Sequence, residues 1–298
     1  MKKIAVAGAG GFIGKALSEE LVRRGFIVYG IDIKETALSQ VYSTNYVSLC
    51  MDLKSQNGFN HFDTTFDCFV FLSWGGIQSG DYAKGADQVE INNIDLAINT
   101  ITRCAPYTKR FIFCSSSYEQ MKYIDSNKPA NVYGIAKRAA ADWCEIIARK
   151  NKIQFNKVLL TNTYGVGDYS NKAVNHFIKK LIANDDLSLI EGNNPNDWVY
   201  IDDTVNGIVA VIENGKYNQD YYIGHRNITT FKDKLLKMKS ILHSESRLFF
   251  GEWIEDTYVD YSALDLEKLN RDTGFECKVG FEESIRWTEA WLKDSRLW

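Results

Sequence analysis

Lys3-Ile4-Ala5-Val6-Ala7 runs directly into Gly8-Ala9-Gly10-Gly11-Phe12-Ile13-Gly14, and an amphipathic stretch follows to residue 24, where Gly25 ends it. The apolar run reads as a buried strand, the glycines as a tight turn and residues 13–24 as a helix. Glycines at 8, 11 and 14 let the backbone turn sharply and approach a ligand closely. The first turn of the helix adds N–H groups that have no partner inside the helix. A pyrophosphate is the group such a turn accepts. A second strand, residues 27–31, leads to Asp32, where a carboxylate accepts hydrogen bonds from an adenosine ribose. Strand, glycine turn, helix, strand and acid in this order point to a dinucleotide cradle made by Gly8, Gly11, Phe12, Ile13, Gly14 and Asp32. The Asp32 charge repels a 2′-phosphate, so NAD(H) is expected over NADP(H), with Lys34 nearby as the counterweight.

The rhythm continues outward. Residues 46–50, 68–72, 110–114 and 155–160 are further strand candidates, with helical stretches over 87–104 and 131–150 between them. Strands separated by helices too long for hairpins imply right-handed crossovers and a parallel sheet covered on both faces. The expected fold is therefore α/β, a Rossmann-type doubly wound parallel sheet. Residues 1–165 read as the dinucleotide-binding domain and 166–298 mainly as a smaller C-terminal substrate-binding lobe. Some of its segments, 199–201 among them, are expected to return to the main sheet. Asp52-Leu53, just past the third strand, is placed to meet the adenine edge or, equally, to cap the next segment. Trp287, Trp291 and Trp298 have helical spacing and read as packing groups.

Composition narrows the classes. The 298 residues are 45% hydrophobic and 24% charged with 3 prolines, which describes a folded globular chain. Lys+Arg 35 against Asp+Glu 38 leaves −3 and no basic block, so no nucleic-acid partner is expected. No window approaches the roughly 18 apolar residues of a membrane span, and the glycine-broken N-terminal run is expected to belong to the fold rather than to a secretion signal. The cysteines, at 50, 68, 104, 114, 144 and 277, have no metal-ligand spacing and read as reduced thiols of a cytoplasmic protein. His61, His176, His225 and His243 form no cluster, so no metal is expected.

Tyr133 and Lys137 stand four apart, on one face of the helix over 131–150. Tyr118 and Lys122 share that spacing but lie in the loop leaving a strand. That strand ends in Cys114-Ser115-Ser116-Ser117, at the carboxyl edge of the sheet where ligands of this architecture bind. Bringing a phenol from pKa about 10 to about 7 takes roughly 4 kcal/mol. One ammonium at about 4 Å supplies about that much at an effective dielectric of about 20. Lys137 is thus expected to tune Tyr133 for proton exchange with a carbinol or carbonyl, with a serine hydroxyl on the same oxygen.

Gly8-x-x-Gly11-x-x-Gly14, Asp32, the serine-rich strand end and Tyr133-x-x-x-Lys137 resemble the extended short-chain dehydrogenase/reductase family, in its nucleotide-sugar epimerase/dehydratase branch. Asn162-Thr163-Tyr164-Gly165-Val166-Gly167 is similar to the family's Asn-x-Tyr-Gly-x-Gly stretch, and Val199 to Asp203 to its Val-Asp-Asp segment. The resemblance covers nearly the whole chain. It implies Tyr133 as acid/base, Lys137 on the nicotinamide ribose, Ser116 as hydroxyl partner with Ser117 as the alternative, and Asn162 on the substrate. Leu72-Ser73-Trp74 falls beside the nicotinamide, bulkier there than the family's usual small residues.

Other departures bear on the reaction. Where the branch's dehydratases carry an Asp-Glu pair after the catalytic hydroxyl, this chain has Ser117-Tyr118. Where its epimerases carry two diphosphate-binding arginines, this chain has Asn196 before Asp197 and none over 251–256. Lys172 and Arg226 are the candidate replacements. The C-terminal stretch over 249–275 is most similar to the branch's 4-ketoreductases. A 4-keto-sugar reductase acting on a nucleotide-sugar is the first expectation, an epimerase with tightly bound NAD the second and a silent dinucleotide sensor the third. A homodimer is the expected assembly.

Overall fold

A computed structural model describes residues 1–38, 40–55, 59, 62–75, 92–170 and 173–295. Its main sheet holds β3 (Tyr46–Cys50), β2 (Ile27–Asp32), β1 (Lys3–Ala7), β4 (Cys68–Phe71), β5 (Arg110–Ser116), β7 (Gln154–Leu160) and β11 (Gln219–Ile223), in that spatial order and all parallel. Strand order reverses between β1 and β4, which opens a crevice at their carboxyl ends. The expected doubly wound α/β fold is the observed one.

The two faces of the sheet are packed differently. On one, Phe69, Phe71, Phe111, Phe113 and Phe155 alternate along β4, β5 and β7, as the period of two requires, and stack with centroids 5.6–6.4 Å apart. The helices above them, α3 (Asn93–Cys104) and α4 (Val132–Lys150), turn small residues inward, Ala97, Ala140, Ala141 and Ala148, so wide rings meet a smooth helical surface. On the other face, Val and Ile from the same strands meet α1 (Phe12–Arg23) and α6 (Ile201–Asn214). The short α2 (Glu35–Leu38) lies beside β2 and β3. Of the helix expected over 87–104, the described part starts at Asn93; residues 76–91 lie outside the described residues.

Three small sheets stand beyond the carboxyl edge. β8 (Asn162–Tyr164) pairs with β10 (Trp198–Tyr200), β9 (Leu187–Ile190) with β12 (Leu248–Trp253), and β6 (Met121–Tyr123) with β13 (Thr257–Val259). With them pack α5 (Ala173–Ile182), α7 (Phe231–Ile241) and α9 (Phe281–Asp294), while α8 (Lys268–Thr273) lies against α6 and β11. The expectation for 199–201 is corrected. Val199 belongs to β10, which pairs with β8, and the strand that returns to the main sheet is β11. A three-residue apolar run carries no signal that separates the two pairings. Trp287 packs on Tyr200 and Trp291 on Tyr169, yet Trp287 remains 43% exposed. Trp298 is outside the described residues. No described helix is long and apolar enough to cross a membrane.

Candidate active site

The glycine turn fixes one wall. Gly8 has φ +84°, and a Cβ there would stand 2.9 Å from the Ser73 amide nitrogen. At Gly14 a Cβ would fall 2.0 Å from the Gly8 carbonyl oxygen, so side chains at either position would break the packing of β1 on α1. Helix α1 starts after Gly11 with no side-chain cap and no acid in its first turn, so the amides of Phe12 and Ile13 carry no capping side chain. Asp32 is held beneath the turn, accepting from the Gly10 amide at 3.0 Å and the Lys34 amide at 3.2 Å. This cradle fits a dinucleotide, with pyrophosphate on the helix start and ribose at the acid. Asp52 is exposed and accepts the Lys54 amide at 2.9 Å, as a turn-capping carboxylate does, while Leu53 is buried in the core.

Leu72 donates its amide to Ala7 and leads the chain past Gly8 through Ser73 to Trp74. Asn93, fully buried at the start of α3, clamps this loop: its Oδ1 accepts the Gly75 amide at 2.9 Å and its Nδ2 donates to the Gly75 carbonyl at 3.1 Å. The sequence reading did not single out Asn93.

The second wall is the start of α4. Asn131 caps that helix by accepting the Gly134 amide at 2.9 Å, and Gly134 is required because a Cβ would lie 1.9 Å from the Tyr118 carbonyl oxygen. The close contact brings the turn Ser117–Gln120 against Tyr133. Rings of Tyr118 and Tyr133 meet edge to face at 6.3 Å, and Trp74 meets Tyr133 at 6.1 Å. Burial raises the Tyr133 phenol above its ordinary range, as do Tyr118 and Glu119, against a hydrogen bond with Ser116 that lowers it. Ser116 is thus at the phenol, and its Oγ also accepts the Tyr118 amide at 3.2 Å. The Ser117 Oγ is fully buried without a hydrogen-bond partner among the described residues.

Lys137 corrects one expectation. Its Nζ donates to the Cys114 carbonyl at 2.8 Å, sits 4.0 Å over the Trp74 ring and is 5.8 Å from the centre of the Tyr133 ring. Among the described residues the buried ammonium is met by this carbonyl and by aromatic faces. Burial lowers it to about 7, against the pull of Cys114 and Glu119. In the protein by itself the lysine therefore does not bring the phenol down.

On the substrate side, Asn162 accepts the Tyr118 hydroxyl at 3.2 Å and donates to the Asn196 Oδ1 and the Asp197 carbonyl, both at 3.3 Å. Asp197, fully buried, binds the Tyr222 hydroxyl at 2.6 Å and both the amide and Nδ1 of His225. Asp203 accepts the amides of Lys278 and Val279, which ties α6 to the C-terminal segment. Arg226 is engaged by Glu267 at 3.2 Å and Glu276 at 2.9 Å, and it lines a cleft of about 70 Å³ with Leu266, Leu269 and Cys277 rather than with Ser116 or Tyr133. Lys172 lies outside the described residues.

A family model described as the NAD dependent epimerase/dehydratase family matches residues 4–224. A probable dTDP-glucose 4,6-dehydratase of Sinorhizobium fredii is 21% identical over 99% of this chain and 94% of its own length. A CDP-abequose synthase of Yersinia pseudotuberculosis is 26% identical over 73% and 76%. The crystal structure of a Thermotoga maritima UDP-glucose 4-epimerase with UDP-glucose covers 99% of both chains with a TM-score of 0.82 at 20% identity, a likeness of fold.

Proposed function

Because the chain belongs to the NAD dependent epimerase/dehydratase family, we propose that it reduces a 4-keto nucleotide-sugar at the site formed by Ser116, Tyr133 and Lys137. The observation that carries this reading is the meeting of those three residues at the carboxyl edge of the sheet, two strands from the glycine turn. When bound on Gly8, Gly11, Phe12, Ile13, Gly14 and Asp32, NAD(H) supplies hydride-transfer chemistry. Leu72, Ser73 and Trp74 border that position, Asp52 and Leu53 stand toward the adenine, and Lys137 takes the ribose hydroxyls. Ser116 orients the substrate carbonyl by a hydrogen bond, and Tyr133 gives its proton to the same oxygen.

One feature speaks against dehydration. Dehydration needs a carboxylate beside the sugar, and in this site the position after Ser116 is Ser117-Tyr118. The next acid, Glu119, is bound to Ser115 and Lys157. The relatives named as a 4,6-dehydratase and a CDP-abequose synthase support a nucleotide-sugar as substrate, with Asn162 on its sugar-nucleotide moiety.

An epimerase is the second reading, favoured by the fold likeness to a UDP-glucose 4-epimerase. A panel of nucleotide-sugars and their 4-keto forms, incubated with and without NADH or NADPH, separates the two. Stoichiometric NADH consumption with a 4-keto substrate is expected. An isomerised sugar with unchanged cofactor would replace the reductase by the epimerase.

A homodimer through α4 completes the proposal, since Ile135, Trp143 and Ile146 form one outward stripe, each about half exposed. The six free thiols suit a reducing compartment, the cytoplasm.

A further inference from the structure

Tyr118 stands between the two parts of the cleft that the proposed reaction uses. Its ring meets the Tyr133 ring edge to face at 6.3 Å and its amide donates to Ser116 Oγ at 3.2 Å, while its hydroxyl donates to Asn162 Oδ1 at 3.2 Å. A sugar whose carbonyl lies at Ser116 and Tyr133 and whose nucleotide side reaches Asn162 therefore passes along Tyr118. The Tyr118 backbone is pressed onto the start of α4, and its side chain packs on the cluster of Leu159, Tyr222, Val259 and Tyr261. Asn162 is anchored at its other end. Its Nδ2 donates to the Asn196 Oδ1 and the Asp197 carbonyl, both at 3.3 Å, and that carbonyl also accepts Thr161 Oγ1 at 3.0 Å. Among the described residues Tyr118 is the one donor to Asn162 Oδ1. This O–H···O bond is longer than the usual range of about 2.5–3.0 Å, so a ligand opens it at little cost.

A group that opens this link has to accept a proton from Tyr118 and supply one to Asn162, or a polar atom is stranded in a part-buried place. A hydroxyl does both. A carbonyl or carboxylate only accepts, an ammonium only donates, and a methylene does neither. We propose that Tyr118 and Asn162 together determine specificity for a nucleotide-sugar that bears a hydroxyl on the ring carbon next to the reacting carbonyl. That hydroxyl enters between the two side chains, accepting the Tyr118 proton and donating its own to Asn162 Oδ1. Of the two neighbours of a 4-keto carbon, the fifth ring carbon carries the ring oxygen and no hydroxyl, so the third supplies the group. The inference rests on the reading of the site given above and deepens it. When the hydroxyl is absent, Tyr118 and Asn162 keep each other and neither is stranded. Selection is therefore about tenfold, against the roughly 10⁴-fold of a site whose polar groups are left unpaired.

Calorimetry on the protein saturated with NAD⁺ tests this without any turnover. The ligands are UDP-, dTDP- and CDP-glucose, each compared with its 3-deoxyglucose and 6-deoxyglucose counterparts. The wild type is expected to bind the fully hydroxylated sugar about tenfold more tightly than the 3-deoxy form. Tyr118→Phe keeps the ring and removes the hydroxyl; it is expected to cut that preference to less than about twofold, by weakening the hydroxylated ligand, while the NAD⁺ Kd stays unchanged. Should Tyr118→Phe fail to fold, Asn162→Ala removes the other end of the link and carries the same expectation. No preference in the wild type, or a preference that survives both substitutions, overturns the proposal. So does a preference that follows the 6-hydroxyl instead. Selective binding with no turnover in the sugar panel would remove the proposed reaction and leave this result standing, whereas failure of every ligand to bind overturns both.

Discussion

Around Gly8 to Gly14 the groups that face a ligand are backbone amides with no capping side chain, whereas around Asn162 they are side chains that already satisfy one another. The glycine turn is closely packed: its own carbonyl and the Ser73 amide leave no room for a Cβ. It is ready for a pyrophosphate without rearrangement. The Asn162 amide is bound to Tyr118, Asn196 and the Asp197 carbonyl, so in the proposed role it would exchange partners to hold a sugar-nucleotide. The difference teaches that one half of the cleft is built to receive and the other to be reorganised by what it binds.

Substitutions on the two sides break or sharpen that contrast. Tyr133→Phe, at the junction, is expected to lower kcat by about 10²–10⁴-fold while the cofactor Kd stays within about twofold. Steady-state kinetics beside a cofactor titration measure both, and inactivation by Tyr118→Phe instead would transfer the acid/base role to Tyr118. Gly14→Ala drives a methyl into the Gly8 carbonyl and is expected to weaken NAD(H) by about 100-fold, a loss of roughly 2.7 kcal/mol. Asn162→Ala is expected to leave cofactor binding unchanged and to raise KM by about tenfold. Calorimetry and kinetics on the pair show whether the two walls are independent; a cofactor defect in Asn162→Ala would show that they are not.

Lys137 supplies a prediction in stability. Its folded value of about 7 lies below the unfolded value of about 10.4, so between them the unfolded chain binds more protons and stability rises with pH. Lys137→Met is expected to flatten that rise and to lift Tm near pH 7 by about 3–5 °C, read from thermal melts at about pH 7 and about pH 9. The smallest effect is expected at Arg226. With two carboxylates already on its guanidinium, Arg226→Ala is expected to change substrate KM by less than about twofold. A large rise would show that those ion pairs open for the substrate.

What could be read in advance follows the same division. The glycine turn, Asp32 and the Tyr133–Lys137 spacing are contiguous or periodic, so sequence alone locates them and the parallel sheet beneath. The Asp197–Tyr222–His225 group and the Ser115–Glu119–Lys157–Asp220 chain join residues from separate elements, and no local pattern encodes such pairings. One signal was present: Lys157 stands beside Asn156 in a strand that also holds Phe155, Val158, Leu159 and Leu160, and a cation in a buried strand requires a partner. The Lys137 geometry was misjudged because helical spacing sets which face a side chain shares, not whether a carbonyl or a phenol wins its proton.

The outermost strand of the main sheet has a consequence for modularity. β11 arrives from residues 219–223 to pair with β7, and buried Arg110 on β5 reaches through to the carbonyls of Ile212 and Gly215 as well as to Asn156. A fragment cut after residue 165 would carry the entire nucleotide cradle, yet it would present a bare hydrophobic strand edge and an arginine stripped of two acceptors. The dinucleotide half is accordingly not expected to be a transplantable part: a truncation or fusion that respects the apparent sequence boundary is expected to yield an aggregation-prone piece.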